Sequence, residues 1–308
     1  MRKFRNNILT DEQAHAEREK RTAAISSVIA AVGLTTFKIV VGISTGSLGL
    51  LAEAAHSALD LIAAIVTYLA IRIAVRPADQ DHLYGHGKVE NLSAMFETFL
   101  LLITCGWIIY EAINRIFFKT VAVEASVWAF IIMAVSIIID FSRSRVLYRA
   151  ARKHNSQALE ADALHFSTDI WSSAVVILGL IFVKVAEMKP EWFFLEKADA
   201  VAALIVALIV SIVSIRLGIR TVQALLDAAP RGLYSKIKKT VEEIPGVMDC
   251  HNIRFRSSGP RLFIDIHILT DGKQSLNSAH ELTDKIEKKI QETLPNADIM
   301  VHPEPGKK

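Results

Sequence analysis

The chain is expected to fold as an α-helical membrane protein with six transmembrane helices plus a C-terminal α+β, ferredoxin-like (α-β-β-α-β) cytoplasmic domain. Three observations carry that expectation. Hydrophobic residues make up 52% of the 308 positions while charged residues still supply 22%, a mixture suited to a membrane part joined to a soluble part. Six stretches are long and apolar enough for a bilayer crossing, which takes about 20 residues. Beyond Pro230 the apolar runs stop and short helix and strand periodicities alternate.

The spans fall at roughly 23–45, 49–75, 92–117, 122–147, 162–187 and 198–222. Six crossings return both termini to one side, and the basic residues say which. Arg2, Lys3, Arg5, Arg18, Lys20 and Arg21 precede the first span. Arg72, Arg76 and Lys88 flank the second loop, and Arg143, Arg145, Arg149, Arg152 and Lys153 flank the fourth. The first loop, around Gly42 to Gly49, has no basic residue; the third has Lys119 and the fifth Lys184, Lys189 and Lys197. The positive-inside rule therefore puts both termini in the cytoplasm. The N-terminus runs into the first span without a cleavage-type apolar core, so residues 1–21 read as a retained cytoplasmic segment. Residues 22–227 are then the membrane domain and 228–308 the cytoplasmic domain. Short loops without a long His-rich insertion point to a prokaryotic inner membrane.

In the soluble part, Leu233 to Ile244 reads as an amphipathic helix closed by Pro245 and Gly246. Val247 to Arg256 and Arg261 to Thr270 read as strands around Ser257–Pro260. Ser275 to Leu294 has helical periodicity through Leu276, Leu282, Ile286 and Ile290, and Asp298 to His302 is a short last strand. About 80 residues make a marginal independent domain, which favours packing against a second copy.

Composition removes several functions. Two cysteines, Cys105 and Cys250, exclude a disulfide framework and a thiolate cluster, so metal chemistry here uses His and carboxylates. A net charge of +3, with basic residues spread over loops and termini, gives no nucleic-acid footprint.

The chemistry concentrates in two copies of one pattern, His56-x-x-x-Asp60 in the second span and His165-x-x-x-Asp169 in the fifth. Residues four apart share a helix face, so each pair aims an imidazole and a carboxylate at one point. Glu53, Ser57 and Asp162 stand nearby. An ionisable group at membrane depth costs roughly 2.5 to 3.5 kcal/mol, which selects for a partner or a function. One such pair is as easily a private hydrogen bond; its recurrence points to a four-coordinate site for Zn²⁺, with Co²⁺, Cd²⁺, Fe²⁺ and Mn²⁺ as other guests. In the second loop, Asp79, His82 and His86 can hold a metal with help from Asp81 or water, although a solvated loop explains them equally well; Gly85 and Gly87 let the backbone turn His86 inward. In the tail, His251, His267, His280, His302 and Glu304 are candidates with Asp249 and Asp265 as neighbours, each unremarkable alone. Asp140, Glu97 and Glu111 are assigned no metal role but hydrogen bonds between helices or a place facing the membrane surface, with Arg143 and Arg145 neutralising Asp140. Trp107, Trp128, Trp171 and Trp192 are assigned to the core or the interface belt.

Together the two membrane pairs, the Tyr84-Gly-His-Gly-Lys88 loop and the α-β-β-α-β tail resemble the cation diffusion facilitator family from about residue 20 onward. The resemblance implies a homodimer that exchanges cytoplasmic divalent metal for protons at His56, Asp60, His165 and Asp169. The bacterial ferrous-iron and zinc efflux branch implies a second-loop site at Asp79, His82 and His86. It further implies a paired-ion site at the tail dimer interface, with His251, His267, His280, His302 and Glu304. His56, where those relatives often carry Asp, resembles the zinc-selective members. Glu304, where Asp is usual, leaves open whether one carboxylate bridges two ions. The resemblance also implies an ion pair between Lys88 and Asp227 at the dimer seam. Two other classes compete with this reading. An intramembrane metalloenzyme needs an open coordination position that four ligands do not leave, and no His-Glu-x-x-His motif occurs. A non-transporting metal sensor or assembly protein on the same fold has the same ligands.

Overall fold

The computed structural model describes residues 11–46, 48–117, 127–188, 198–230, 232–295 and 297–306. Arg2, Lys3, Arg5, Lys119, Lys189, Lys197 and Trp192, together with the side chains of Trp128 and Lys184, lie outside the described residues. The chain divides into two compact units, one of residues 1–75 and 89–221 and one of residues 76–88 and 222–308.

Among the described residues, the first unit is built on six long helices: α1 (Asp11–Thr45), α2 (Leu48–Ala74), α3 (Lys88–Phe117), α4 (Val127–His154), α5 (Gln157–Met188) and α6 (Ala198–Leu225). They occupy the six expected spans, and several run past them. The N-terminal segment up to Arg21 is helical from Asp11, because its Ala, Glu, Lys and Arg residues propagate a helix readily in water. Among the described residues, four helices are long and apolar enough to cross a membrane by length and composition, within Ala14–Thr45, Glu53–Ala74, Lys88–Asn114 and Ala200–Leu225. Trp107 and Trp171 face outward, 67% and 59% exposed, so neither belongs to the core.

Helices α1, α2, α4 and α5 pack on one another through small and aliphatic residues such as Ala24, Ile71, Leu147 and Leu159 and the aromatic Phe166. Buried polar side chains then fix which faces meet, since each must find its partner or pay the desolvation cost. Lys20 on α1 pairs with Glu90 on α3 at 2.7 Å, and Ser156 at the start of α5 donates to the same carboxylate. Lys38 on α1 reaches Glu53 and Ser57 on α2 at 3.2 and 2.8 Å. Glu97 on α3 accepts from Thr67 on α2, as expected for an interhelical bond. Asp140 instead pairs within its own helix with Arg143 at 3.2 Å, while Arg143 reaches across to Ser27 on α1 and lies over the Phe166 ring of α5. Arg145, two residues on and therefore on another face, is exposed and plays no part in neutralising Asp140.

The second unit holds α7 (Leu233–Glu242), β1 (Asp249–Ser258), β2 (Arg261–Asp271), α8 (Leu276–Thr293) and β3 (Ala297–Gly306). The sheet order is β1-β2-β3, with β1 antiparallel and β3 parallel to β2. Both helices cover one face: Ile237 and Val241 of α7 and Leu282, Ile286 and Ile290 of α8 bury Ile264, Ile266 and Ile268 of β2. With a side-chain period of two, Phe263, Asp265 and His267 point to the opposite face. Strand β3 continues to Gly306 rather than stopping near His302. Pro303 and Pro305 are tolerated because β3 is an edge strand with an unpaired side.

The loop of residues 76–88 belongs to this unit. The Tyr84 ring meets Phe263 edge-on at 5.1 Å, and the Arg256 guanidinium lies 4.2 Å from the Tyr84 centroid. A Cβ on Gly87 would collide with the Ser258 backbone, so only glycine allows this approach.

Candidate metal centres

The i, i+4 spacing on α2 and α5 does what elementary helix geometry requires. His165 Nε2 lies 3.0 Å from Asp60 Oδ1 and 3.7 Å from Asp169 Oδ2, and His56 Nε2 lies 4.0 Å from each of the two carboxylates. Donor atoms of Asp60, His165 and Asp169 all fall within 4.8 Å of one another. Ligand atoms at about 2.0 Å from a tetrahedral zinc stand about 3.3 Å apart, so small side-chain adjustments convert this cluster into a coordination shell. Asp60 and His165 are buried, whereas the His56 side chain is 46% exposed, which leaves the cluster open on that side. Behind it, Asp162 accepts from Ser27 at 3.4 Å and keeps one buried oxygen without a partner, as does Glu97.

In the second loop Asp79, His82 and His86 also come within 4.8 Å. Asp79 meets His82 Nδ1 at 3.2 Å and His86 Nε2 at 3.4 Å, using a different oxygen for each. The backbone N–H of His82, donating to Asp79 at 2.7 Å, holds this carboxyl below its ordinary range. Gly85 adopts φ 76°, a left-handed turn that glycine takes without strain, and the His86 side chain that follows is only 12% exposed against 58% for His82. Asp81 contributes its backbone N–H to Asp79 and stands outside the group.

Strand register builds the third cluster. His251 is opposite His267, and His267 is beside His302, so three histidines form one row across β1, β2 and β3 on the face away from the helices. Glu304 reaches into the row: His267 Nδ1 at 2.7 Å, His251 Nε2 at 3.5 Å and His302 Nε2 at 3.9 Å. The hydrogen bond from His267 is the main reason the Glu304 carboxyl sits below its usual range. Asp249 orients His251 through a 3.0 Å contact to Nδ1, while Asp265 is paired with Arg254 in the register instead. A bulge between His251 and Arg254, with Asn252 at φ 51°, lets Asn252 contact His267 as well. His280 is not brought to this cluster, because α8 packs against the other face of the sheet and His280 is exposed on it.

Lys88 and Asp227 form an ion pair at 2.9 Å whose geometry falls outside a hydrogen bond, and Lys88 donates to the Leu225 carbonyl. Arg256 adds a second cation 3.6 Å from Asp227. Sequence reasoning missed Arg256 here, and it missed Lys20, Lys38 and Arg143 as interhelical clamps. For Lys38 and Arg143, a basic residue inside an apolar span was the available signal.

An apolar helical bundle with a His and Asp cage inside it, joined to a His-rich soluble sheet, defines a membrane protein that handles divalent cations. Residues 24–226 match the profile described as the Cation efflux transmembrane domain, and residues 229–306 match the Cation efflux protein, cytoplasmic domain. The chain is 31% identical over 286 residues to the cation-efflux pump FieF of Shewanella oneidensis, covering 92% of this chain and 94% of that one. It is 31% identical over 290 residues to the cation-efflux pump FieF of Yersinia enterocolitica, covering 92% of each. Among solved structures, the metal-bound C-terminal domain of the CzcD transporter from Thermotoga maritima is 36% identical, with 25% of this chain and 94% of that one covered at a TM-score of 0.24. The cytosolic domain of a cation diffusion facilitator family protein is also 36% identical, covering 24% and 88% at a TM-score of 0.23. The chain belongs to the cation diffusion facilitator family and is a cation efflux transporter, not an enzyme.

Proposed function

We propose that the chain is a proton-coupled exporter of divalent metal, Zn²⁺ before the others, working as a homodimer by alternating access. The observation that carries this reading is the convergence of Asp60, His165 and Asp169 from two separate helices, with His56 at the open side. Two nitrogens and two oxygens suit zinc, and each binds metal through the same lone pair that takes a proton. The 3.0 Å hydrogen bond between His165 and Asp60 occupies the position a cation takes over, so loading releases protons and protonation expels the ion. Helices α2 and α5 carry all four ligands and rock as a unit between the two sides of a cell inner membrane, with both termini in the cytoplasm.

Asp79, His82 and His86 are assigned a second ion. The tail row of His251, His267, His302 and Glu304 is assigned a regulatory pair of ions, with His280 supplied by the second copy, since its own helix lies on the wrong face. Lys88 and Asp227 serve as the hinge of the dimer seam. The test is zinc-driven proton flux in proteoliposomes. Wild type is expected to exchange zinc for protons, and Asp60→Ala and Asp169→Ala to lose the exchange while folding normally. Normal flux in either variant overturns the site, and zinc binding without flux in wild type favours the sensor reading.

A further inference from the structure

A cleft of about 350 Å³ opens between α4, α5 and α6, and its polar end is lined by Tyr148, Glu160, Arg216 and Arg220. It runs into a groove of about 280 Å³ between α5 and α6, walled by Trp171, Val206, Ile209 and Val210; Leu164, Ser167 and Val213 line both. On α6 the wall residues fall at 206, 209, 210, 213, 216, 217 and 220, a single helical stripe that is apolar for its first half and turns cationic at Arg216.

Three features of this stripe match one kind of occupant. From Arg216 to Val206 is ten residues, about 15 Å of helix, which equals the hydrocarbon depth of one leaflet. Arg220 is paired with Glu160, whereas Arg216 is exposed and has no hydrogen-bond or ion-pair partner among the described residues. Two guanidiniums against one carboxylate leave one positive charge, and Arg152, which donates to the Tyr148 hydroxyl at 2.5 Å, adds to it. An unpaired arginine in an apolar span is expensive unless an anion or the headgroup layer meets it.

We propose that this groove binds an anionic phospholipid, its phosphate held by Arg216 and Arg220 beside Tyr148 and one acyl chain laid down the α5–α6 groove to Trp171. The net positive charge suits an anionic headgroup and the apolar length suits a single acyl chain. A free phosphate would use the first part and leave the groove open. None of His56, Asp60, His165 and Asp169 lines the cleft or the groove, and the proposal does not depend on metal at that cluster.

The test uses the full-length protein in nanodiscs containing brominated phosphatidylglycerol or brominated phosphatidylcholine at the same low mole fraction. Trp171 quenching is read as the difference between the parent and Trp171→Phe. Phosphatidylglycerol is expected to quench at a several-fold lower mole fraction, at about fivefold per arginine engaged. Arg216→Gln with Arg220→Gln should erase the preference, and Arg216→Lys should keep most of it, which separates lost charge from lost fold. Equal quenching by both lipids, a preference surviving the double variant, or no quenching by either because a second copy covers the groove would each overturn the proposal.

Discussion

The membrane cluster and the tail cluster use the same chemistry, imidazole and carboxylate, on opposite architectural terms. On α2 and α5 the ligands come from helix periodicity, lie in a polar pocket of an apolar bundle, and are backed by further buried carboxylates at Asp162 and Glu97. In the tail they come from strand register, stand on the sheet face away from the helices, and converge on one half-buried carboxylate, Glu304. Burial makes the Asp60 and Asp169 carboxylates costly without a positive charge, so metal and protons would compete there strongly. On the proposed reading, the half-exposed tail cluster would fill and empty with the surrounding metal concentration and with little competition of that kind. On the proposed reading, one fold separates carrying an ion from sensing it.

The largest effect expected to sharpen this contrast is at Asp169. Asp169→Ala should reduce zinc-driven proton flux by about 100-fold or more, as loss of one of four ligands in a closed shell implies, while tail zinc binding by calorimetry stays within twofold, about the scatter of such values. A parallel loss in the tail would break the comparison. Next in size, Glu304→Ala should weaken tail zinc affinity by about 10–100-fold and leave the maximal flux at saturating zinc unchanged.

A smaller effect concerns pH. Glu304 is held below its ordinary range in the fold, so it contributes stability that is present above the unfolded-state value, near 4.5, and lost as pH falls through the folded one. Circular dichroism melts should show the tail of the parent losing an extra increment of stability below about pH 4.5 that Glu304→Gln does not lose. The smallest effect expected is at Cys250, a buried thiol that burial pushes up to about 11. In a Cys105→Ala background it should resist iodoacetamide at pH 8 and react only when the tail unfolds.

Much of this was legible in the sequence because it depends on local period. The spacing of four residues sets His56 beside Asp60 whatever the bundle does, and runs of Ile, Val and Leu mark the spans. The alternation of Ile264, Ile266 and Ile268 likewise marks the covered face of β2. What the sequence concealed depends on long-range pairing. Nothing local says that β3 continues through two prolines, that His280 ends on the far side of the sheet, or that Arg256 and Tyr84 stack. The clamp of Arg143 on Ser27 and Phe166 needed the helix neighbours to be known, although an arginine at that depth already asked for a partner.

The central claim is that one set of lone pairs, on His56, Asp60, His165 and Asp169, holds either zinc or protons. Its most direct measurement is proton release on zinc addition to the purified protein whose loop and tail ligands have been replaced by Asp79→Ala, His86→Ala, His267→Ala and Glu304→Ala. The account predicts protons released in proportion to zinc bound and none after a further Asp60→Ala. Zinc bound without proton release, or release that survives Asp60→Ala, would contradict it.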